Sequence, residues 1–215
     1  ALMFNLVEEK HIKRTIDTLI HYLENNDCHL STGIVGTPYL CHVLSQHGAN
    51  DLAYQLLLQT DFPSWLYQVT KGATTIWEHW NGIKEDGSFW STEMNSFNHY
   101  AYGSIGDWMY RVAAGLDAGA PGYKRILIRP MPAEGLTFAE AVYDSMYGRI
   151  KSRWEKAGNL FKIDICIPVN TIAEAILPQA ELNRVTESGR ALSEEEGISD
   201  ISQLKDGLKL TLGSG

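Results

Sequence analysis

The sequence lacks the features that mark membrane-spanning and nucleic-acid-binding proteins. It contains no uninterrupted apolar run of about 18 residues, the length that a membrane-spanning helix needs, so no membrane contact is predicted. Its 18 lysine and arginine residues are outnumbered by 26 aspartate and glutamate residues, which gives a net charge of −8. Because no segment concentrates the basic residues, we expect no surface that binds the phosphates of a nucleic acid.

Cysteine is also scarce, and the common cofactor motifs are missing. The sequence has three cysteines, Cys28, Cys41 and Cys166, whose spacing is not that of a metal site. It also lacks the HExxH motif of zinc sites. The glycine-rich nucleotide loops and the GxSxG motif of serine hydrolases do not occur either. We therefore predict no metal and no cofactor.

The N-terminus lacks the basic, apolar and small-residue parts of a signal peptide. It also lacks an initiator methionine, and an amphipathic helix begins almost at once. We therefore expect the chain to be an internal part of a larger protein.

The first half of the chain is patterned as helices. Apolar residues recur every three or four positions from Asn5 to Asn25, and a second such stripe ends at Gly48. Shorter helices are predicted in ANDLAYQLLLQT and PSWLYQVTKG, where a polar cap residue and a proline mark the starts. A last long helix is predicted from Asn98 to Leu116.

Beyond Pro121 the apolar period changes from 3.6 residues to two. Phe161 to Ile167 and Leu208 to Leu212 alternate as strands do, so an all-β part is predicted after the helices. The DAGAPG stretch breaks regular structure, and we divide the chain there into domains 1–120 and 121–215. The acidic segment from Thr186 to Gly207 alternates poorly and is expected to be a surface insertion without chemistry.

One carboxylate has an unusual setting, because Glu78 lies between Trp77 and Trp80. Inverting glycoside hydrolysis needs two carboxyl groups about 6.5 to 9.5 Å apart, and Glu78 is a candidate for one of them. The two indoles can present ring faces to a sugar and partly desolvate the acid. The alternative is that both tryptophans belong to the core and that Glu78 caps a helix or pairs locally. The residue types alone leave both interpretations open.

Other polar residues near this stretch are weaker candidates. Glu85 and Asp86 have the composition of a solvated turn, and Glu93 either lines a pocket or lies at a helix entry. His99 opens the last predicted helix, where a side chain can point into a cleft. A structural role at the helix entry is the alternative for His99.

Four motifs, in one order and at consistent spacing, resemble those of a known family. They are TTIWEHWNG, SFNHYAYGSIGDWMYRVAAGL, GYKRILIRPMP and YGRIKSRW. Together they resemble the C-terminal portion of the bacterial α-L-rhamnosidases of glycoside hydrolase family 78, through most of residues 30–178. The resemblance implies an α+β fold in two segregated parts, with the helical hairpins of a partial (α/α)6 toroid followed by an antiparallel β-sandwich.

The same resemblance implies roles for individual residues. Glu78 would be the general base of an inverting hydrolysis, His99 would contact the rhamnose, and Trp77 and Trp80 would form pocket walls. The expected ligands are rhamnose-containing glycosides or polysaccharides. The compartment stays open between the bacterial cytoplasm and periplasm.

The sequence also departs from that family. In the family, the general acid lies in a segment resembling DCPQRDER, and no such segment occurs in this sequence. Only about half of the toroid's helices fit into the first 120 residues. We therefore expect a fragment that is inactive alone, that has the missing N-terminal half of the same protein as its partner, and that self-associates through uncovered helices. A non-catalytic carbohydrate-binding protein and another inverting α/α-toroid glycosidase are the alternatives.

Overall fold

A computed structural model describes residues 1–192 and 197–215 and divides the chain into two compact units. The helical unit comprises Ala1–Trp108 with Ala133–Gly135, and the β unit comprises Met109–Pro132 with Leu136–Gly215. Helices followed by strands are what the change of apolar period predicts. The predicted domain boundary between residues 120 and 121 stays a prediction.

The helical unit is built from short helices, which match most of the predicted ones. They are α1 (Glu9–Glu24), α2 (Thr37–Gln46), α3 (Asn50–Leu58), α4 (Trp65–Thr70) and α5 (Ile105–Trp108), with 3-10 turns at Leu2–Phe4 and Ala101–Ser104. Trp108 is fully buried among them, where its indole N–H donates to the hydroxyl of Ser45 at 2.9 Å and its ring meets Tyr54 edge-on. Within the described ranges, no helix has the length and apolar character needed to cross a membrane.

The long helix predicted from Asn98 to Leu116 forms only over residues 101–113 and is irregular. The 3-10 turn and α5 are followed by a π-helical turn, Met109–Ala113, in which the Ala114 N–H reaches the Met109 carbonyl at 2.8 Å. Gly115 then has a positive φ of 76° and lies so close to Pro130 that a Cβ would be 2.1 Å from its nitrogen. A helix cannot continue through that contact, and Leu116 begins a strand instead.

The described residues of the β unit form two larger sheets and a small one. Its strands are β1 (Leu116–Ala118), β2 (Arg125–Ile128), β3 (Phe138–Ser145), β4 (Gly148–Ala157), β5 (Leu160–Cys166), β6 (Ile172–Pro178), β7 (Thr186–Glu187), β8 (Arg190–Ala191), β9 (Ile198–Leu204) and β10 (Gly207–Leu212). One sheet has the order β1-β2-β6-β10-β9, another the order β3-β4-β5, and β7 pairs with β8. The pairings are antiparallel except for β2 with β6, which is parallel.

The two larger sheets share one apolar core. Ile126 and Leu208 of the five-stranded sheet are fully buried in the same cluster as Ile150 of the three-stranded sheet. Alternate residues along β4 and β6 are buried, as expected when one face of each sheet is covered. The β unit is therefore a β-sandwich.

The expectation of a surface insertion between Thr186 and Gly207 is only partly right. Residues 193–196 of that segment lie outside the described residues. Ile198–Leu204, however, form β9, the edge strand of the five-stranded sheet, paired with β10. An edge strand is exposed over much of its length, so polar residues interrupt its apolar alternation. The sequence of β9 therefore does not show the pattern that predicts a strand.

Candidate active site

The candidate site lies in the helical unit, between α4 and the 3-10 turn at Ala101–Ser104. Two segments of the chain are hydrogen-bonded to each other there. The Glu78 N–H donates to the Ser96 carbonyl at 2.9 Å, and the His99 N–H donates to the Ile76 carbonyl at 2.8 Å. The Thr75 hydroxyl also donates to the chain at this point, to the carbonyl of Phe97. These bonds bring Glu78 and His99, which are distant in sequence, onto paired segments of one loop.

The Glu78 carboxylate is half-buried and is held by a single backbone group. Its Oε2 accepts a hydrogen bond from the Ser96 N–H at 3.1 Å, so Ser96 both donates to and accepts from the same residue. Within residues 1–192 and 197–215, no lysine, arginine or histidine lies within ion-pair distance of Glu78, and Oε1 accepts no hydrogen bond. The carboxylate is thus oriented without being neutralised by a cation, and one oxygen is left to accept a proton from a bound molecule.

Trp77 lies in the core beneath the loop. It is 3% exposed, its ring meets Phe97 edge-on with the ring centroids 5.1 Å apart, and its backbone N–H donates to Gln68 Oε1 at 3.2 Å. Gly82 packs against this pair so tightly that a Cβ would lie 3.1 Å from both rings. Trp77 therefore fixes the loop from below, and its place as a pocket wall stays a prediction.

Trp80 is packed into the same core, at 8% exposure. One face of its indole stacks on Tyr102 at 3.7 Å with an 18° angle between the rings, and Trp65 meets it edge-on at 5.4 Å. Trp65 is itself anchored by donating from Nε1 to the Tyr102 carbonyl at 2.9 Å. Burial in this cluster raises the pKa of Tyr102. The role of Trp80 as a wall for sugar likewise stays a prediction.

His99 is half-buried and has a defined tautomer when neutral. Its Nδ1 accepts a long hydrogen bond, 3.4 Å, from the backbone N–H of Ala101. A ring nitrogen that accepts carries no proton, so the proton of the neutral ring is on Nε2. His99 can therefore donate from Nε2 to a hydroxyl group of a ligand.

The other acids of this stretch are exposed. Glu85 and Asp86 lie in a turn, as predicted, and the Ser88 hydroxyl and N–H both donate to Asp86 and lower its pKa. Glu93 is also exposed, and its backbone N–H donates to the Ser91 hydroxyl. None of the three makes the kind of side-chain contact with the paired segments that Glu78 makes with Ser96.

Sequence reasoning missed two residues that shape the site. Ser96 acts through its backbone, and no property of its side chain signals that role. Gln68 of α4 joins the two sides of the tryptophan stretch, since its Oε1 accepts from the Trp77 N–H and its Nε2 donates to the His79 carbonyl at 3.3 Å. Gln68 is 2% exposed, but its sequence neighbours do not distinguish it from a surface glutamine.

Thiols and metal ligands are not part of this arrangement. Over the part of the chain that the structure describes, no three His, Cys, Asp or Glu side chains are placed to hold a metal ion. Cys41 of α2 is buried, which raises its pKa to about 12, whereas Cys166 of β5 is exposed.

A helical unit that presents an oriented acid, followed by a β-sandwich, agrees with a hairpin-toroid glycosidase that carries a C-terminal domain. The family model of the bacterial α-L-rhamnosidase six-hairpin glycosidase domain matches residues 1–113, and that of the bacterial α-L-rhamnosidase C-terminal domain matches residues 115–192. The chain belongs to the bacterial α-L-rhamnosidase family.

Individual relatives agree with this assignment. An α-L-rhamnosidase of Streptomyces avermitilis is 44% identical over 200 residues, which cover 93% of this chain and 19% of that protein. One of Formosa agariphila is 42% identical over 178 residues, which cover 83% of this chain and 19% of that protein. The chain spans about a fifth of the length of these relatives.

Two solved structures share the fold. The S. avermitilis α-L-rhamnosidase complexed with L-rhamnose matches with a TM-score of 0.91 at 41% identity, covering 100% of this chain and 20% of that one. An α-L-rhamnosidase from Dictyoglumus thermophilum matches with a TM-score of 0.87 at 34% identity, covering 100% and 24%. These matches confirm the resemblance seen in the four motifs and the predicted fold class.

Proposed function

We propose that this chain forms the C-terminal part of the catalytic domain, and the C-terminal domain, of an inverting α-L-rhamnosidase in which Glu78 is the general base. The observation that carries the proposal is the Glu78 carboxylate, half-buried, oriented through one oxygen by the Ser96 N–H and paired with no cation in the described part of the chain. A base needs a fixed direction and a free lone pair, and this setting provides both.

In this reaction, Glu78 takes a proton from a water molecule on the side of the sugar opposite the leaving group. The water oxygen bonds to the anomeric carbon while the glycosidic C–O bond breaks, and the departing oxygen takes a proton from a general acid. The acid is proposed to lie outside these 215 residues, since the chain spans only about 20% of the S. avermitilis structure. The exposed Glu85, Asp86 and Glu93 do not share the setting of Glu78.

The remaining site residues are proposed to bind the terminal rhamnose or to support the loop that carries Glu78. His99 donates from Nε2 to a hydroxyl of the terminal rhamnose, because its Nδ1 is occupied by the Ala101 N–H. Trp77 and Trp80 pack beneath the loop and fix its shape, as the inner side of the pocket wall. The substrates are rhamnose-containing glycosides or polysaccharides, which is the class that the relatives' name indicates.

The helical unit exposes several large apolar side chains on its surface. They include Phe4, Leu6, Tyr22, Ile34, Val35 and Tyr39. We propose that the N-terminal half of the same protein is the partner of this unit, and that the chain alone is inactive and self-associates through this surface. Light scattering over a concentration series tests the last point, and a monomer at every concentration would contradict it.

Product stereochemistry tests the proposed function. The complete protein that contains this chain is incubated with an aryl α-L-rhamnoside, and proton NMR identifies the first rhamnose anomer released. Inversion predicts that the β anomer appears first. The 215-residue chain alone should release no rhamnose, because the general acid is proposed to lie outside it.

Other outcomes would support a different function. Binding of L-rhamnose without hydrolysis of any glycoside would favour a non-catalytic carbohydrate-binding protein. Hydrolysis of other glycosides in preference to rhamnosides would favour another inverting toroid glycosidase. The α anomer as first product would contradict the role of Glu78 as a base.

A further inference from the structure

Trp90 and His79 form a stacked pair at the edge of the candidate site. Their ring centroids are 3.7 Å apart and the rings are inclined by 18°. One face of the indole covers the imidazole, and since Trp90 is still 43% exposed, much of the rest of its surface is open to solvent. Among the described residues nothing hydrogen-bonds to the buried Nε2 of His79, and its ring packs on the indole of Trp90.

The position of Trp90 is fixed by the loop that carries it. Its backbone N–H donates to the Gly82 carbonyl at 3.1 Å, and Asn95 Nδ2 donates to the same carbonyl at 2.8 Å. Gly82 is wedged against Trp77 and Phe97 in the core. An indole whose back is stacked and whose backbone is tied to the core is preorganised, because little conformational entropy is lost when a ligand stacks on it.

The backbone of His79 is next to that of the candidate base. His79 directly follows Glu78, so their Cα atoms are about 3.8 Å apart. The loop that carries Trp90 leaves the paired segments after Glu78 and returns to them at Ser96, and residues Glu85–Trp90 and Thr92–Met94 along it are exposed. Glu78 and His99 are half-buried on the paired segments, whereas Trp90 is exposed on the loop that joins these segments.

From this arrangement we infer that the exposed surface of the Trp90 indole is a stacking platform for the leaving group of the substrate, and that it selects leaving groups that contain a ring. The inference rests on the proposed function. A terminal sugar bound at Glu78 and His99 leaves the rest of the substrate to protrude past the loop that carries Trp90. The flat indole fits an aromatic ring or the C–H face of a pyranose, and both ligands make the same contact.

The test measures how the leaving group affects catalysis by the complete protein. Three substrates are compared: methyl α-L-rhamnoside, an aryl α-L-rhamnoside and a disaccharide with terminal α-L-rhamnose. Trp90→Ala is expected to raise KM for the two ring-bearing substrates about three- to tenfold, the range of a lost aromatic stack. KM for the methyl rhamnoside and inhibition by free L-rhamnose should stay unchanged. A change confined to one ring-bearing substrate identifies which ring the platform takes.

Two further variants separate stacking from a change in the fold. Trp90→Phe keeps a ring and should recover most of the lost affinity for the ring-bearing substrates. Met94→Ala, on the same exposed loop and 67% exposed, is the matched control and should resemble the parent. His79→Ala removes the support of the indole and should raise KM for the same two substrates by a smaller factor.

Several outcomes would overturn the inference. An equal loss of free L-rhamnose binding in Trp90→Ala would make Trp90 a support of the terminal-sugar site, and an unchanged KM for all substrates would show that the platform does not exist. Either result leaves the proposed function intact if the parent still hydrolyses rhamnosides. A parent that hydrolyses none of the three substrates overturns the proposed function and the platform together.

Discussion

A glutamate of the helical unit and a glutamate of the β unit lie in contrasting electrostatic settings. Glu140 of β3 is in an exposed charge network with Lys151 and Arg153 of β4. The carboxylate of Glu78 in the helical unit is half-buried, and among residues 1–192 and 197–215 its one hydrogen bond comes from the backbone N–H of Ser96. Glu140 is thus paired with neighbouring cations, whereas Glu78 stays available for a ligand. The setting, and not the residue type, separates a structural acid from a candidate base.

The substitution with the largest expected effect tests whether the apolar core stabilises the β unit. Trp154 of β4 is fully buried, and its Nε1 donates to the Ala113 carbonyl. Trp154→Ala should lower the free energy of unfolding by about 3 to 5 kcal/mol, because it leaves a cavity and an unpaired carbonyl. Urea unfolding followed by circular dichroism measures this change.

The exposed Leu160 of β5 provides the control. Leu160→Ala should change the free energy of unfolding by less than about 0.5 kcal/mol, as most exposed substitutions do. If Trp154→Ala were no more destabilising than Leu160→Ala, the sandwich core would not be the source of stability.

A second prediction compares a thiol of each unit. Burial raises the pKa of Cys41 to about 12 from an ordinary value of 9.0, whereas Cys166 is exposed. Since the thiolate is the reactive form, iodoacetamide near pH 8 should label Cys166 in the native chain and leave Cys41 unlabelled until the chain unfolds. Mass spectrometry of the digested chain identifies the labelled residue, and equal labelling of both thiols would contradict the buried position.

The same shift predicts a dependence of stability on pH. Cys41 binds its proton more tightly in the folded chain, so its contribution is complete below pH 9 and is lost as the pH rises from 9 towards 12. In Cys41→Ala this part of the decline should disappear. Unfolding curves of both chains at several alkaline pH values measure the difference, and parallel curves would rule out a contribution from Cys41.

The smallest expected effect is the change in stability when Glu140, the acid paired with Arg153, is replaced. The hydrogen bond from Arg153 lowers the pKa of Glu140, so its contribution to stability is present above the ordinary pKa and is lost as the pH falls through the lowered one. Glu140→Gln should therefore lower the unfolding temperature slightly near neutral pH and have no effect in strong acid. A larger loss in acid than at neutral pH would reverse the sign and contradict the pairing.

The β unit could be predicted further from its sequence than the candidate site could. Alternation from Phe161 to Ile167 is a local pattern, and β5 forms there as predicted. β9 was hidden because an exposed edge strand tolerates polar residues at most of its positions. The parallel pairing of β2 with β6 depends on contacts between distant residues, and no local pattern reports it.

The candidate site depends even more on distant contacts. The tryptophans around Glu78 indicated a special carboxylate, but not that their rings would be covered by Phe97 and Tyr102. The hydrogen bond from Ser96 comes from the backbone, which every residue except proline can provide, so the sequence carries no signal for it. The end of the last helix was missed because the close approach of Gly115 to Pro130 is also a long-range contact.

The central claim is that Glu78 is the general base, and the kcat of Glu78→Gln in the complete protein tests it most directly. The substitution keeps the shape and the hydrogen bond from Ser96 but removes the ability to take a proton, so kcat should fall by about 10² to 10⁴ while binding of L-rhamnose is unchanged. His99→Ala, which removes a proposed sugar contact, should weaken rhamnose binding as well. Glu93→Gln, an exposed acid of the same loop, is the matched control and should keep the parental kcat. If Glu78→Gln retained more than about a tenth of the parental kcat, Glu78 would be a structural acid and the account of the site would be wrong.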